Sequence, residues 1–420
     1  MVRGLIKMEM SSNNYLMKKC CLILYICIFC ECCHAQKAGG IVRRPTNSIS
    51  HGMVEKSSAS RNYITTYELV SAFCEGLANV KCNGKWGYID KSGRLVISCK
   101  YDFPASFRNG FAVTEYKGKW GVLDKTGKET IPFKYEFIDY SIGVNEDLIN
   151  VMCNGKWGFL DTKGNVVIPF QYERAYSFHE GLACVKMNGK WGFIDTKGNV
   201  VIPFKYENNK YGGAEDFHQG LACVRIDGKS SFIDKMGREV IQFKYPYSDL
   251  DSFHEGLAFG WKSGKYGFID KKGNEIIPFK YERVHFFEDG FAKVKLEDKW
   301  GLVDKEGNEI VPCRYDEVGS FHDGLACVRF NDKWGFVDNK GKEIIQCKYG
   351  NKHKGLFRFD EGLSPVELNG KWGYVDKSGK EVIPFKFNEA SSFNEGVAPV
   401  KLNGRWGIID KKGKIKWINR

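Results

Sequence analysis

From Tyr63 to the C-terminus the chain is a succession of short apolar stretches separated by small groups of Gly, Asn, Asp and Lys. One trio reads Gly-Leu-Ala-Cys-Val-Lys (181–186), Lys-Trp-Gly-Phe-Ile-Asp (190–195) and Asn-Val-Val-Ile-Pro-Phe-Lys-Tyr (199–206). Val, Ile, Phe, Tyr and Trp dominate, which suits a pleated, half-buried surface, and the recurring Gly and Pro interrupt any helical period. Three strands are predicted per trio. The first two are joined by Asn-Gly at 83–84, 154–155, 188–189, 369–370 and 403–404, and by Asp227-Gly228. That dipeptide tolerates the positive φ a two-residue hairpin demands. The second and third strands are joined by Asp-x-x-Gly, as in Asp195 to Gly198, where Asp accepts from the turn's own backbone and Gly closes it. Pro132, Pro169, Pro203, Pro278, Pro312 and Pro384 fall in the third strand. Proline cannot donate to a ladder, so this strand is expected at a sheet edge.

The trio recurs ten times. Trp-Gly stands at Trp86, Trp120, Trp157, Trp191, Trp300, Trp334, Trp372 and Trp406, with Ser230-Ser231 and Tyr266-Gly267 in the two remaining places, at spacings of 34, 37, 34, 39, 36, 34, 34, 38 and 34 residues. Such a period marks units that cannot bury an apolar face alone and must stack on their neighbours. The fold class is therefore all-β: a tandem array of ten three-stranded antiparallel units. An open or superhelical array is favoured because it takes any number of repeats, with one or more propeller-like rings as the alternative. Asp-x-x-Gly persists in all ten units while Trp-Gly does not, so the turn is the stricter requirement. The longer insertions, at 138–145, 208–215 and 349–357, all follow the third strand and are expected on one face.

Residues 1–35 read as a secretory signal starting at Met17: Met17-Lys-Lys, an apolar run from Cys20 to Cys30, then Cys33-His34-Ala35 before Gln36. That run is too short to span a bilayer, so no integral membrane segment is expected in the mature chain. Residues 36–62, rich in Ser, Arg, Gly and Asn, read as a disordered leader, and 63–420 as the repeat domain. Nine cysteines lie beyond the signal, at 74, 82, 99, 153, 184, 223, 313, 327 and 347. Several exchange with Phe or Pro at equivalent repeat positions, so they read as small buried hydrophobes. Equal positions in adjacent sheets would stand about 10 Å apart, beyond disulfide reach.

The Lys-Trp-Gly-Phe-Ile-Asp-x-x-Gly-x-x-x-Ile-Pro pattern resembles the WG-repeat (KWG-repeat) family of bacterial β-rich proteins across almost all of 67–418. The resemblance implies β-rich, mostly non-catalytic modules and brings no catalytic residues; no cofactor and no metal are expected.

Candidate chemistry is sparse. Phe-His-acid-Gly occurs at His179, His218, His254 and His322, but Cys74, Arg108, Asp360 and Asn394 hold the same place elsewhere, so these read as solvent-facing turn residues rather than metal ligands. No nucleophile elbow, zinc-binding helix motif or phosphate loop is present. The eight tryptophans are the candidate ligand platform, since flat indole faces stack on sugars, although core packing is the plainer expectation. A net charge of +12 comes largely from dispersed turn lysines, read as a solvated rim. The expected function is a secreted or periplasmic non-catalytic scaffold that binds protein or an anionic or glycan polymer of the cell envelope, with nucleic acid excluded by the export signal. A carbohydrate-binding module using exposed Trp and Tyr is the alternative, and a hydrolase, which would need paired carboxylates in one cleft, a weaker one.

Overall fold

The computed structural model describes residues 67–139, 148–207, 214–241, 251–350 and 357–418. The chain divides into two units, Met1–Tyr63 and Ile64–Arg420, and every described residue belongs to the second. The expected signal and leader lie outside the described residues.

Every described element is a strand, and the strands form ten antiparallel sheets in chain order. One sheet shows how sequence becomes structure. Leu182–Met187 pairs with Lys190–Asp195 across Asn188-Gly189, both residues at positive φ (51° and 75°). Lys190–Asp195 pairs with Val200–Tyr206 across the Asp195 turn, whose Oδ1 accepts from the amides of Lys197 and Asn199 at 2.9 and 2.8 Å. The third strand is an edge in each sheet, as the missing donor requires where it carries proline.

Six sheets gain a fourth strand that periodicity did not announce: Leu69–Cys74, Phe137–Ile138, Arg174–His179, Arg283–Val284, Glu317–His322 and Glu389–Ala390. It comes from the connection between repeats, where the longer strands share little beyond Phe73, Phe178 and Phe321 near their ends. None of its residues in Leu69–Cys74 or Arg174–His179 is exposed, whereas Val200, Val201, Pro203 and Lys205 of the opposite edge strand are. The first strand is therefore the inner edge and the Pro-bearing strand the outer one.

The tenth sheet packs on the first, so the array closes into a ring rather than staying open. Tyr67, Val70, Phe73 and Val80 share one buried cluster with Trp406, Ile408 and Ile418. The Gly76 amide donates to Glu395 Oε2 at 3.0 Å, and Lys91 pairs with the same carboxylate at 2.9 Å. This closing junction repeats the one found between consecutive sheets. Gly110, Gly220, Gly290 and Gly396 donate to Glu75, Glu180, Glu255 and Glu361 of the preceding sheets. Lys125, Lys235, Lys305 and Lys411 pair with those same acids at 2.8–3.1 Å. The lysine after Asp in Asp-Lys-x-Gly is thus a cross-sheet brace in these sheets, not a free rim charge.

The turn glycines show why Asp-x-x-Gly tolerates no change. Gly198 lies at φ 84°, and a Cβ there would sit 3.4 Å from Ile168 Cγ2 of the preceding sheet. Gly93, Gly127, Gly237 and Gly379 abut Ile418, Ile97, Ile202 and Ile345 in the same way. The glycine of Trp-Gly answers to a different neighbour. Trp191 faces Tyr206 while Phe193 faces Ile202, so the outer strand bulges over Gly192. A Cβ on Gly192 would meet Ile202 O at 2.7 Å and Phe204 Cδ1 at 2.9 Å. In the fifth sheet Ser231 takes this place, its Oγ donates to Glu239 Oε1 at 2.8 Å, and the described outer strand is only Glu239–Ile241.

Seven cysteines in the described region are free thiols, and Cys184, Cys223 and Cys327 are buried. Cys82 and Cys99 are joined in a disulfide with their Cα atoms 6.1 Å apart. The expectation of mostly free thiols holds for seven of the nine, and one bridge joins the other two. The bridge links non-equivalent positions of one repeat, the end of Leu77–Cys82 and the outer-strand bulge, which lie close within a sheet; only the first repeat has Cys at both. Non-reducing peptide mapping is expected to recover Cys82 and Cys99 in one linked fragment and to alkylate the buried Cys184, Cys223 and Cys327 only after unfolding. Recovery of unlinked Cys82 from oxidised protein would contradict this arrangement.

Candidate functional site

The eight candidate tryptophans lie in the seams of the ring. Trp86, Trp120, Trp191, Trp334 and Trp406 are buried, and Trp157, Trp300 and Trp372 are half-buried. Trp191 stacks on Tyr176 of the inner strand, with ring centres 5.3 Å apart and planes within 2°. Trp120 and Trp157 flank Phe137, and Trp334 and Trp372 flank Phe357. Lys186 and Lys401 stand 5.8 and 5.3 Å from the centres of Trp191 and Trp406. Aromatic residues and lysine stems take the indole faces, which leaves no continuous stripe of bare rings.

The inner edge gathers residues that lie far apart in sequence. The His179 and His218 rings are 5.2 Å apart, His218 and His254 5.3 Å, and His254 stacks on Phe286 at 4.4 Å. These histidines are half-buried rather than solvent-facing, because the inner ends of neighbouring sheets converge there. Burial holds all three below the usual histidine range, His254 down to about 4, with His218 adding to the shift. Uncharged imidazoles therefore meet one another at neutral pH.

Four carboxylates join them. Asp216 Oδ2 lies 3.6 Å from His179 Nε2. Ser252 Oγ donates to Glu215 Oε2 at 3.0 Å, and its amide donates to Asp251 Oδ1 at 2.8 Å. Asn150 Nδ2 and Ser177 Oγ both donate to Asp139 Oδ2 at 3.2 Å. Burial, reinforced by the Asp139 charge, pushes Asp216 up to about 8; burial takes Asp251 to about 6 and, together with Asp251, raises Glu215 well above the carboxylate range. Asp216 keeps 22 % of its side-chain surface accessible, yet its Oδ1 is buried and has no hydrogen-bond partner. Sequence reading missed these four carboxylates because they occupy the variable connections between repeats. Two acids in succession before a buried Phe, Glu215-Asp216, were the available signal. Among the described residues, no set of three His, Cys, Asp or Glu side chains is placed to hold a metal ion.

The native state holds a proton on Asp216 that the unfolded chain releases near the ordinary carboxylate value of 3.8, so this group costs stability increasingly as pH rises from about 4 to about 8. Asp216→Asn is therefore expected to raise the melting temperature at pH 8.5 and to leave it unchanged near pH 4. Equal melting of the two proteins at both pH values would show that the side chain is solvated.

The WG containing repeat family matches ten consecutive segments, 65–86, 86–120, 120–157, 157–191, 191–229, 231–259, 266–300, 300–334, 334–372 and 372–406. The chain belongs to this family. Most WG-repeat boundaries fall at a tryptophan, so the segments from 86–120 onward run from one sheet into the next. No curated protein matches the chain. Among solved structures, a eukaryotic initiation factor is similar over 74 % of this chain and 96 % of its own, at 12 % identity and a TM-score of 0.45. PorZ, a bacterial surface component of the type-IX secretion system of Porphyromonas gingivalis, is similar over 85 % of this chain and 59 % of its own, at 13 % identity and a TM-score of 0.29. The dihydro-heme d1 dehydrogenase NirN is similar over 70 % and 77 %, at 14 % identity and a TM-score of 0.36. The WG-repeat chain spans less than two thirds of PorZ. Among the described residues no helix is long and apolar enough to cross a membrane.

Proposed function

We propose that this WG-repeat ring is a secreted or periplasmic, non-catalytic scaffold that binds a protein or an anionic or glycan polymer of the cell envelope. The observation that supports the reading is what the repeated polar residues do. Asp195 and its equivalents bind their own turns, and the acids of the Glu-Gly turns brace the next sheet. On the opposite face Glu68, Glu136 and Glu173 accept from the hairpin glycines 84, 155 and 189, while Lys190 and Lys299 pair with Glu207 and Asp316. The polar residues of the turns and hairpins are thus spent on the ring itself, which leaves the outer strands as its free surface. The signal-like N-terminus supports export, and the family resemblance supports a module without catalysis.

The test is binding of the purified full-length protein to cell-envelope fractions at low and high salt, beside turnover assays on glycan and peptide substrates. Saturable binding without turnover is the expected result. Turnover that Glu215→Gln abolishes while the melting curve is retained would replace the scaffold with the hydrolase reading.

A further inference from the structure

Seven outer strands carry an exposed cation, while the third has Gln171 in that place. In Phe-Lys-Tyr and its variants, Lys100, Lys134, Lys205, Lys280, Arg314, Lys348 and Lys386 are all exposed. Of these, only Lys280 comes within 4 Å of a carboxylate among the described residues, Glu309 at 3.8 Å. The turn lysines of the ring faces, by contrast, are ion-paired across sheets. Lys100, Lys134, Lys205, Lys348 and Lys386 instead stand 5.2–5.3 Å from the centre of the next aromatic ring, which holds each at the same height on its strand.

In three sheets the cation has the same company. Two and four residues before it on the same side of the strand come an exposed proline and a branched apolar residue: Val201-Pro203-Lys205, Ile276-Pro278-Lys280 and Val382-Pro384-Lys386. Val201, Ile276 and Val382 are 41, 39 and 43 % exposed. Proline and lysine protect an edge strand from pairing, but edge protection needs no solvent-facing valine or isoleucine beside them. A glutamate opens six of these strands (129, 239, 275, 309, 343 and 381), whereas Leu95, Val166, Val200 and Ile415 open the other four.

We infer that the outer girdle is the binding surface, and that its ligand is an anionic glycan, a chain that alternates apolar sugar faces with carboxylate or phosphate groups. This rests on the scaffold reading above and assigns it a surface. The apolar–proline pair covers a sugar face and the cation meets the charge. Repetition round the ring makes many weak contacts act together through effective concentration.

The experiment uses the full chain with polygalacturonate as probe, inorganic polyphosphate as a charge-only comparator and dextran as a neutral one. Three variants are compared after their melting curves are shown to match wild type: K100E/K205E/K348E/K386E on the girdle, K128E/K163E/K272E/K340E on the turns, and V167S/V201S/I276S/V382S. The inference expects salt-sensitive polygalacturonate binding that weakens roughly tenfold or more in the girdle charge variant, with a much smaller change in the turn variant. It also expects the serine variant to lose several-fold for polygalacturonate and nothing for polyphosphate. Equal losses in the two charge variants, equal binding of polyphosphate and polygalacturonate, or no polygalacturonate binding at all would each overturn it. If the girdle charge variant still binds envelope fractions as wild type does, the surface assignment fails and the scaffold reading stands. If wild type binds no envelope fraction, the scaffold reading itself fails.

Discussion

Gly198→Val is expected to unfold the ring at a clearly lower denaturant concentration than Lys190→Ala. Gly198 holds φ at 84°, where a β-branched residue is strained by about 1–3 kcal/mol, and its new Cβ and methyls would press on Ile168 of the preceding sheet, 3.4 Å from the Cβ. Lys190 makes one ion pair with Glu207 at 3.6 Å, with both side chains more than a third exposed, so its loss is worth at most about 1 kcal/mol. Gly192→Val should match or exceed the Gly198 effect, because overpacking against Ile202 O and Phe204 costs about 1–3 kcal/mol or more. Chemical denaturation of the three variants measures the order. Coincident midpoints for Gly198→Val and Lys190→Ala would remove both the turn assignment and the seam contact built on it.

The second large effect follows from closure. A chain ending at Phe387 lacks the whole tenth sheet, so Trp406, Ile408 and Ile418 no longer cover Tyr67, Val70 and Phe73. Truncating a single large core side chain typically costs 3–5 kcal/mol, and here an entire seam opens on each side of the gap. The shortened protein is expected to aggregate or to melt far below the full chain, in one step and not by about a tenth of the original stability. Light scattering after size exclusion, together with a thermal melt, separates the two outcomes. A well-behaved monomer with only proportionately reduced stability is what an open array would give, and it would sink the ring.

Strands, hairpins and the edge position of the proline strand were legible because each depends on residues within one repeat. Asn188-Gly189 and Asp195 to Gly198 act locally, and their chemistry names the turn. What escaped depends on partners elsewhere. Lys91 finds Glu395 across 304 residues, a contact that looks like any other Lys–Glu coincidence until the ring is closed. The inner strand escaped because Phe137–Ile138 and Glu317–His322 share geometry without sharing residues. Asp139, Asp216 and Asp251 escaped for the same reason: they occupy the one stretch of each repeat where the pattern lapses. The Cys82–Cys99 bridge was readable in principle, since only the first repeat carries both, but comparing equivalent positions across repeats looks past a pair within one.

The seam that joins the tenth sheet to the first uses the same parts as the others: a turn glycine against an isoleucine, a carboxylate shared by an amide and a lysine. Peptide continuity is therefore almost incidental to which sheets are neighbours. Tyr67 and Ile418 already lie in one cluster, so a gene rewired with a short linker between them and reopened at another inter-sheet connection would encode the same molecule in a different order. Circular permutants cut at successive connections should then fold alike, and any cut that fails would mark a seam that carries more than its tenth of the closure.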